Sequence, residues 1–223
     1  MPLPHRRTSA SSIPPPSRFT PLELFQQHVE KWKDCTACEL HKTRNSVVFA
    51  RGQVPCDVLC CAEAPGESEN IIGLPLVGPA GQLFDAIMAA ALPSDMPRCY
   101  CNMVCCIPYD ETGSKPAGQD HGPPVESIEA CGGRLIEFIG ICKPKLIVCV
   151  GKVSEEWLDV KWTKSVMFQL APEWIKKIPQ VAILHPAYLL RQNEASRVLL
   201  INRTIIQVRQ AVREYIIEKG VEP

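Results

Sequence analysis

The sequence predicts one α/β domain: three layers, α/β/α, around a central four-stranded parallel sheet. Three observations carry this. Short apolar runs at 57–62, 100–106, 145–150 and 181–184 alternate with longer segments of helical periodicity, the pattern of a largely parallel sheet covered on both faces. The run 145–150 is continuously apolar and stops at Gly151, as a strand buried on both faces does. The chain has 223 residues, 46% of them hydrophobic, enough for one substantial core.

Residues 1–19 are rich in Pro, Ser and Arg and read as a disordered tail; 20–220 read as the domain. Thr20 can cap a first helix, Pro21 fits its first position, and Glu23 completes a capping box. Leu22, Phe25, Val29 and Trp32 give that helix one apolar face. Cys35 and Cys38 follow at its end, and 47–50 suggest a short strand. The first core strand is 57–62. After it comes a loop of about twenty residues, from Ala62 to Gly81, rich in Glu, Gly and Pro; loops of that length inside a compact domain are usually functional. A helix follows from about Gln82, with Leu83, Phe84, Ile87, Met88 and Ala91 on its buried face. The second strand, 100–106, leads into a Pro-, Gly- and Asp-rich loop at 107–124. Ile128, Leu135, Phe138 and Ile139 mark a helix weakened by Gly132 and Gly133. The strand 145–150 precedes a helix from Val153. The strand 181–184 ends at His185-Pro186. A last helix, about 194–219, lines up Val198, Ile201, Ile205, Val208, Val212 and Ile216 before Gly220 stops it.

Basic and acidic residues balance at 24 each, so bulk charge does not advertise a nucleic-acid partner; any such surface is local. No apolar run has the length to cross a bilayer, and Arg6 and Arg7 are not followed by the apolar segment of a secretory signal. We expect a cytoplasmic, unsecreted monomer. Twelve cysteines in a chain this long suggest a metal or cluster site plus buried thiols rather than disulfide staples.

Two constellations carry chemistry. Cys35 and Cys38, two residues apart, can reach one metal centre, and Cys106 and Cys131 are further candidates. Four thiolates suit tetrahedral zinc or an iron–sulfur cluster, and spacing does not separate them. Packed thiols are the alternative for Cys106 and Cys131. Packing is the favoured reading for Cys60, Cys61, Cys105 and Cys149, which fall within strands. The second constellation is polar: Glu63 after the first strand, Asn102 in the second, His185 after the fourth. A parallel sheet collects such positions along one edge, where ligands bind. No G-x-G-x-x-G follows the first strand, which disfavours a dinucleotide-binding dehydrogenase.

Five motifs in one order, spanning about 22–215, carry a resemblance. They are Cys35-x-x-Cys38-x-Leu40; Glu63-Ala-Pro-Gly66 with Gly73-Leu-Pro-Leu-Val-Gly-Pro-Ala-Gly81; Asn102-Met-Val-Cys-Cys106-Ile-Pro108; Cys131; and His185-Pro-Ala-Tyr-Leu-Leu-Arg191. Together they resemble the iron–sulfur uracil-DNA glycosylases, family 4 of the uracil-DNA glycosylase superfamily. The resemblance implies that fold, a DNA substrate and a [4Fe–4S] cluster on Cys35, Cys38, Cys106 and Cys131, with zinc as the lesser alternative. It implies that Asn102 reads the flipped base and that His185 donates to the base O2. It sets Glu63 by the attacking water, with Ala64 where another family carries an activating aspartate. It implies Glu69 at the C5 edge, Gly78 and Gly81 at a phosphate, and Leu189, Leu190 and Arg191 as a tip that wedges into the helix. Arg191 and Arg197 are candidate phosphate contacts, with ordinary solvated charges the equal alternative. The family has Phe where this chain has Leu76 on the base face, a loss of base–aromatic stacking. The alternatives are a glycosylase for a modified pyrimidine, such as a hypermodified viral cytosine, and a non-catalytic iron–sulfur DNA-binding module.

Overall fold

The computed structural model describes residues 18–109, 122–152 and 173–218. The expected tail, apart from Arg18 and Phe19, the helix from Val153 and most of the 107–124 loop lie outside them. The sheet is built from β1 (Ala50–Gly52), β2 (Val58–Ala62), β3 (Arg98–Asn102), β4 (Leu146–Val150) and β5 (Gln180–Ile183), in the order β1-β3-β2-β4-β5. The four expected parallel strands are β2 to β5. A fifth, β1, pairs antiparallel at the edge, with Ala50 opposite Cys101. This short strand begins at Ala50 rather than Val47; Val48 instead donates its N–H to Cys105 O at 2.8 Å, just past the ladder.

The strand expected at 100–106 ends at Asn102. Met103 N–H then bonds Ala62 O at 2.8 Å and Val104 N–H bonds Glu63 O at 3.1 Å as the chain turns off the sheet. Asn102 therefore stands at a strand end, and Cys105 and Cys106 belong to the turn beyond it.

Alternation along the strands sorts the core into two layers, because successive side chains point to opposite faces. Leu59, Cys61, Cys99, Cys101, Ile147 and Cys149 face α1 (Pro21–Trp32) and α4 (Val125–Cys142). Val58, Cys60, Tyr100 and Val148 face α3 (Pro79–Ala91) and α7 (Glu194–Val212). The strand thiols are thus packing residues. α1 begins with the expected Thr20–Glu23 capping box. α4 runs unbroken through Gly132 and Gly133, since packing outweighs the propensity cost of glycine. Phe25 meets Phe138 at 5.5 Å between ring centroids. Glu137 of α4 ties down the other end of α1: it accepts from Trp32 Nε1 at 3.3 Å, pairs with His28 Nδ1 at 3.0 Å and bridges Lys31. On α7 the buried stripe is Thr204, Val208, Ala211 and Val212; Val198, expected on it, is exposed.

Candidate active site

The C-terminal ends of β2, β3 and β5 open into a cleft of about 1460 Å³. Glu63, Ala64, Asn102 and His185 all stand on its wall. These are the strand-end positions at which an open parallel sheet binds ligands.

Asn102 is 1% exposed, and its Nδ2 has no hydrogen-bond partner among the described residues. A buried amide left unpaired costs stability, so a ligand that accepts from it is favoured there. His185 caps α6 (Pro186–Leu190): its Nδ1 accepts the N–H of Ala187 at 3.1 Å. The proton of the neutral ring is therefore on Nε2, leaving a donor for the cleft. Burial, with the Arg191 charge beside it, pulls His185 down from 6.5 to about 4, opposed by Glu69. Glu63 and His185 converge on Gly151, at the end of β4. A Cβ on Gly151 would lie 2.5 Å from Glu63 Oε1 and 3.2 Å from His185 Cδ2, and its φ is +93°. Only glycine holds that corner without moving both side chains.

The long loop is ordered by two side chains. Inside it, α2 (Glu67–Ile72) ends on Gly73 in the left-handed conformation. Glu69 Oε2 accepts from Gly66 N–H at 3.1 Å, and Oε1 accepts from Val77 and Gly78 N–H at 2.9 and 2.8 Å. Arg51 of β1 donates to Pro75 O at 2.7 Å and Leu76 O at 2.9 Å, and pairs with Asp85 of α3 at 2.7 Å. These contacts bear on several sequence expectations. Glu69 lines the cleft, but its two oxygens are engaged by the loop's own backbone. The Gly78 N–H is committed to Glu69, not to a phosphate. Gly81 is buried under the loop, with Leu76 O only 1.9 Å from where a Cβ would sit, so it is a packing glycine. Leu76 lines the cleft yet is 6% exposed and packs into the α3 side of the core, at φ +54°.

At the expected wedge, Leu189 is 0% exposed and packs inward, anchoring α6. Tyr188 and Leu190 are the exposed apolar residues, and Arg191 is exposed beside them. All three reach the cleft wall. Arg197 is not on that wall, whereas Arg203 and Lys152, which sequence reasoning missed, are.

The thiols gather on the other side of the β3 end. Cys35, Cys106 and Cys131 line a small cavity with Cys105, Trp32, Val47, Ala130 and Arg134. Cys38 also acts electrostatically on Cys106, whose thiol burial pushes up to about 11 while Arg44, donating to Sγ at 3.3 Å, opposes it. No disulfide joins any of the twelve cysteines. Among the described residues no three Cys, His, Asp or Glu side chains converge as a single ion requires. Cys35, Cys106 and Cys131 share that cavity, and thiols are the ligand chemistry an iron–sulfur core takes.

Arg51, Arg134 and Gly151 also escaped the sequence reading. A strand or helix Arg reads as solvated, and one glycine after a strand reads as a stop.

Comparison with known proteins agrees with this geometry. The family model of the uracil DNA glycosylase superfamily matches residues 49–207. A type-4 uracil-DNA glycosylase of Thermotoga maritima is 31% identical over 186 residues, 82% of this chain and 92% of that protein. One from Archaeoglobus fulgidus is 29% identical over 178 residues, 76% of this chain and 84% of that protein. One from Pyrobaculum aerophilum is 35% identical over 137 residues, 61% and 65% of the two chains. The sheet, the cleft at its strand ends and these matches together make the chain a type-4 member of the uracil-DNA glycosylase superfamily.

Proposed function

We propose that the chain excises uracil from DNA by hydrolysing the N-glycosidic bond, leaving an abasic site for repair. The observation that carries this is that a buried amide with no partner among the described residues, Asn102 Nδ2, shares the cleft wall with a neutral histidine, His185, whose Nδ1 is committed to the Ala187 N–H. A flipped uracil offers an O4 acceptor and an N3–H donor, which the Asn102 amide matches with one donor and one acceptor. As the glycosidic bond breaks, electrons flow into the base and charge grows on O2. His185 Nε2–H donates to that oxygen, a preorganised stabilisation of the leaving group. A neutral donor is the form burial enforces. Glu63 orients the water that attacks the cationic sugar carbon, and Gly151 leaves room for it. Ala64 supplies no base, so leaving-group stabilisation is the dominant route.

Leu190, with Tyr188, fills the gap left by the flipped nucleotide, an apolar wedge offsetting part of the unstacking cost. Arg191, with Arg203 and Lys152 on the same wall, holds phosphates. Cys35 and Cys38 just past α1, Cys106 in the turn after β3 and Cys131 of α4 would hold a [4Fe–4S] cluster. Residues 20–220 form the catalytic unit, acting on DNA as a monomer. The relatives named above favour uracil over a modified pyrimidine and over a non-catalytic module.

Base release from a DNA panel tests the reading. Uracil-containing strands should yield free uracil and an alkali-labile abasic site. Strands with thymine, cytosine or a hypermodified cytosine should yield none. Release confined to a modified pyrimidine, or tight binding with no release, would overturn it.

A further inference from the structure

Arg134 sits in the middle of α4 and is 3% exposed. A guanidinium does not lose its charge in a protein, so its burial must be offset by hydrogen bonds and anions. Among the described residues no Asp or Glu forms an ion pair with it. It lies close to the thiols of Cys105, Cys131, Cys101 and Cys61. One flank of Arg134 lines the cavity shared by Cys35, Cys106 and Cys131. From the other, Nη2 donates to Asn102 O at 2.8 Å and to Met103 O at 3.1 Å. Its Nε has no hydrogen-bond partner among the described residues.

We propose that Arg134 is a positioning residue that aims Asn102 at the base. It holds the two carbonyls at the point where β3 leaves the sheet, and the thiolate cluster supplies the negative charge that keeps this cation buried. The counter-charge part rests on the cluster reading given above. A four-thiolate iron–sulfur core bears net negative charge, and protonated thiols do not. Loading the cluster therefore tightens the grip on the Asn102 peptide. The base pocket and the thiol cavity are joined through one side chain, and no step of the reaction passes through the metal.

Coupling to Asn102 is what separates positioning from a general structural role. The proteins are wild type, Arg134→Met, Arg134→Lys, Asn102→Ala and the doubles of each Arg134 variant with Asn102→Ala, all iron-loaded. Single-turnover uracil release at saturating enzyme is measured beside DNA affinity. Arg134→Met should slow release about 10- to 100-fold while affinity changes less than about threefold. Arg134→Lys keeps the charge without the fork and should recover part of the rate. Over Asn102→Ala, either Arg134 change should add less than about twofold, because contacting residues are not additive. If Arg134→Met does not fold, Arg134→Lys carries the same cycle. A second readout is free of activity: the cluster absorbance at about 400 nm should bleach under a chelator several-fold faster in Arg134→Met than in wild type. Equal slowing in both Asn102 backgrounds overturns the positioning role, even in a brown, cluster-loaded protein. An iron-free wild type that still excises uracil overturns the cluster reading and the counter-charge with it. The cycle and the spectrum thus report the two failures separately.

Discussion

At the residue scale the proposed chemistry turns on His185. Its displacement from 6.5 to about 4 comes from burial and Arg191, so it stays neutral as pH falls from about 8 to about 5. Uracil release should show no His185 inflection in that window and should decline only as the pH drops through about 4. An inflection near 6.5 that disappears in His185→Ala would contradict the assignment. The same shift contributes stability that is whole above 6.5 and is lost as the pH falls through about 4. Removing the donor in His185→Ala should slow release by about 10²- to 10³-fold while leaving DNA affinity within a fewfold, as loss of an oxyanion donor does elsewhere. Leu76, proposed at the base face, is tested in a different way. Aromatic stacking on a base is worth ~1–3 kcal/mol, and phenylalanine is unbranched at Cβ like leucine. Leu76→Phe should therefore raise kcat/KM on uracil about tenfold, measured under steady-state conditions. A fall would mean that packing against α3 decides the residue at this position.

Elements act here through what they hold still. The stretch between β2 and α3 is no slack loop: Glu69 gathers three backbone donors from the starts of α2 and α3, and Arg51 fastens its far side to the sheet. Glu69→Ala leaves those donors without their acceptor, which costs ~1–3 kcal/mol for each one that stays buried and unpaired. The thermal midpoint should fall by several degrees and release should slow with it. Unchanged melting with a change in base preference would instead make Glu69 a substrate reader alone. Sequence reading found this stretch from its length and turn residues, and found Leu76 as the departure. It missed the order inside, because one carboxylate binding residues three, eight and nine positions away leaves no local pattern. It also set Leu189 at the tip. Two adjacent leucines read alike, and only the rotation of α6 sends one inward. At the β4 end, Gly151→Ala drives a methyl into Glu63 and strains a left-handed backbone. Release should drop at least about 100-fold on single-turnover measurement, with the fold retained.

On the scale of the whole molecule, the parallel sheet joins two regions far apart in sequence: the cleft on its strand ends and the thiol cavity beside the turn after β3. The fold class was legible because apolar runs and helical faces alternate along the chain. The antiparallel edge strand was not, since three residues give too short a period. The thiol set was legible only as a family pattern; spacing alone left zinc and packed cysteines open, and its link to Asn102 depends on a buried arginine that reads as surface. We propose that Asn102 and His185 together make this cleft a uracil-excising site. The most direct test is free uracil recovered from uracil-containing DNA by wild type, Asn102→Ala and His185→Ala in a single turnover. Stoichiometric uracil is expected from wild type and a release rate at least about 100-fold lower in either variant, with DNA still bound. No uracil from cluster-loaded wild type, or undiminished release by both variants, would contradict it.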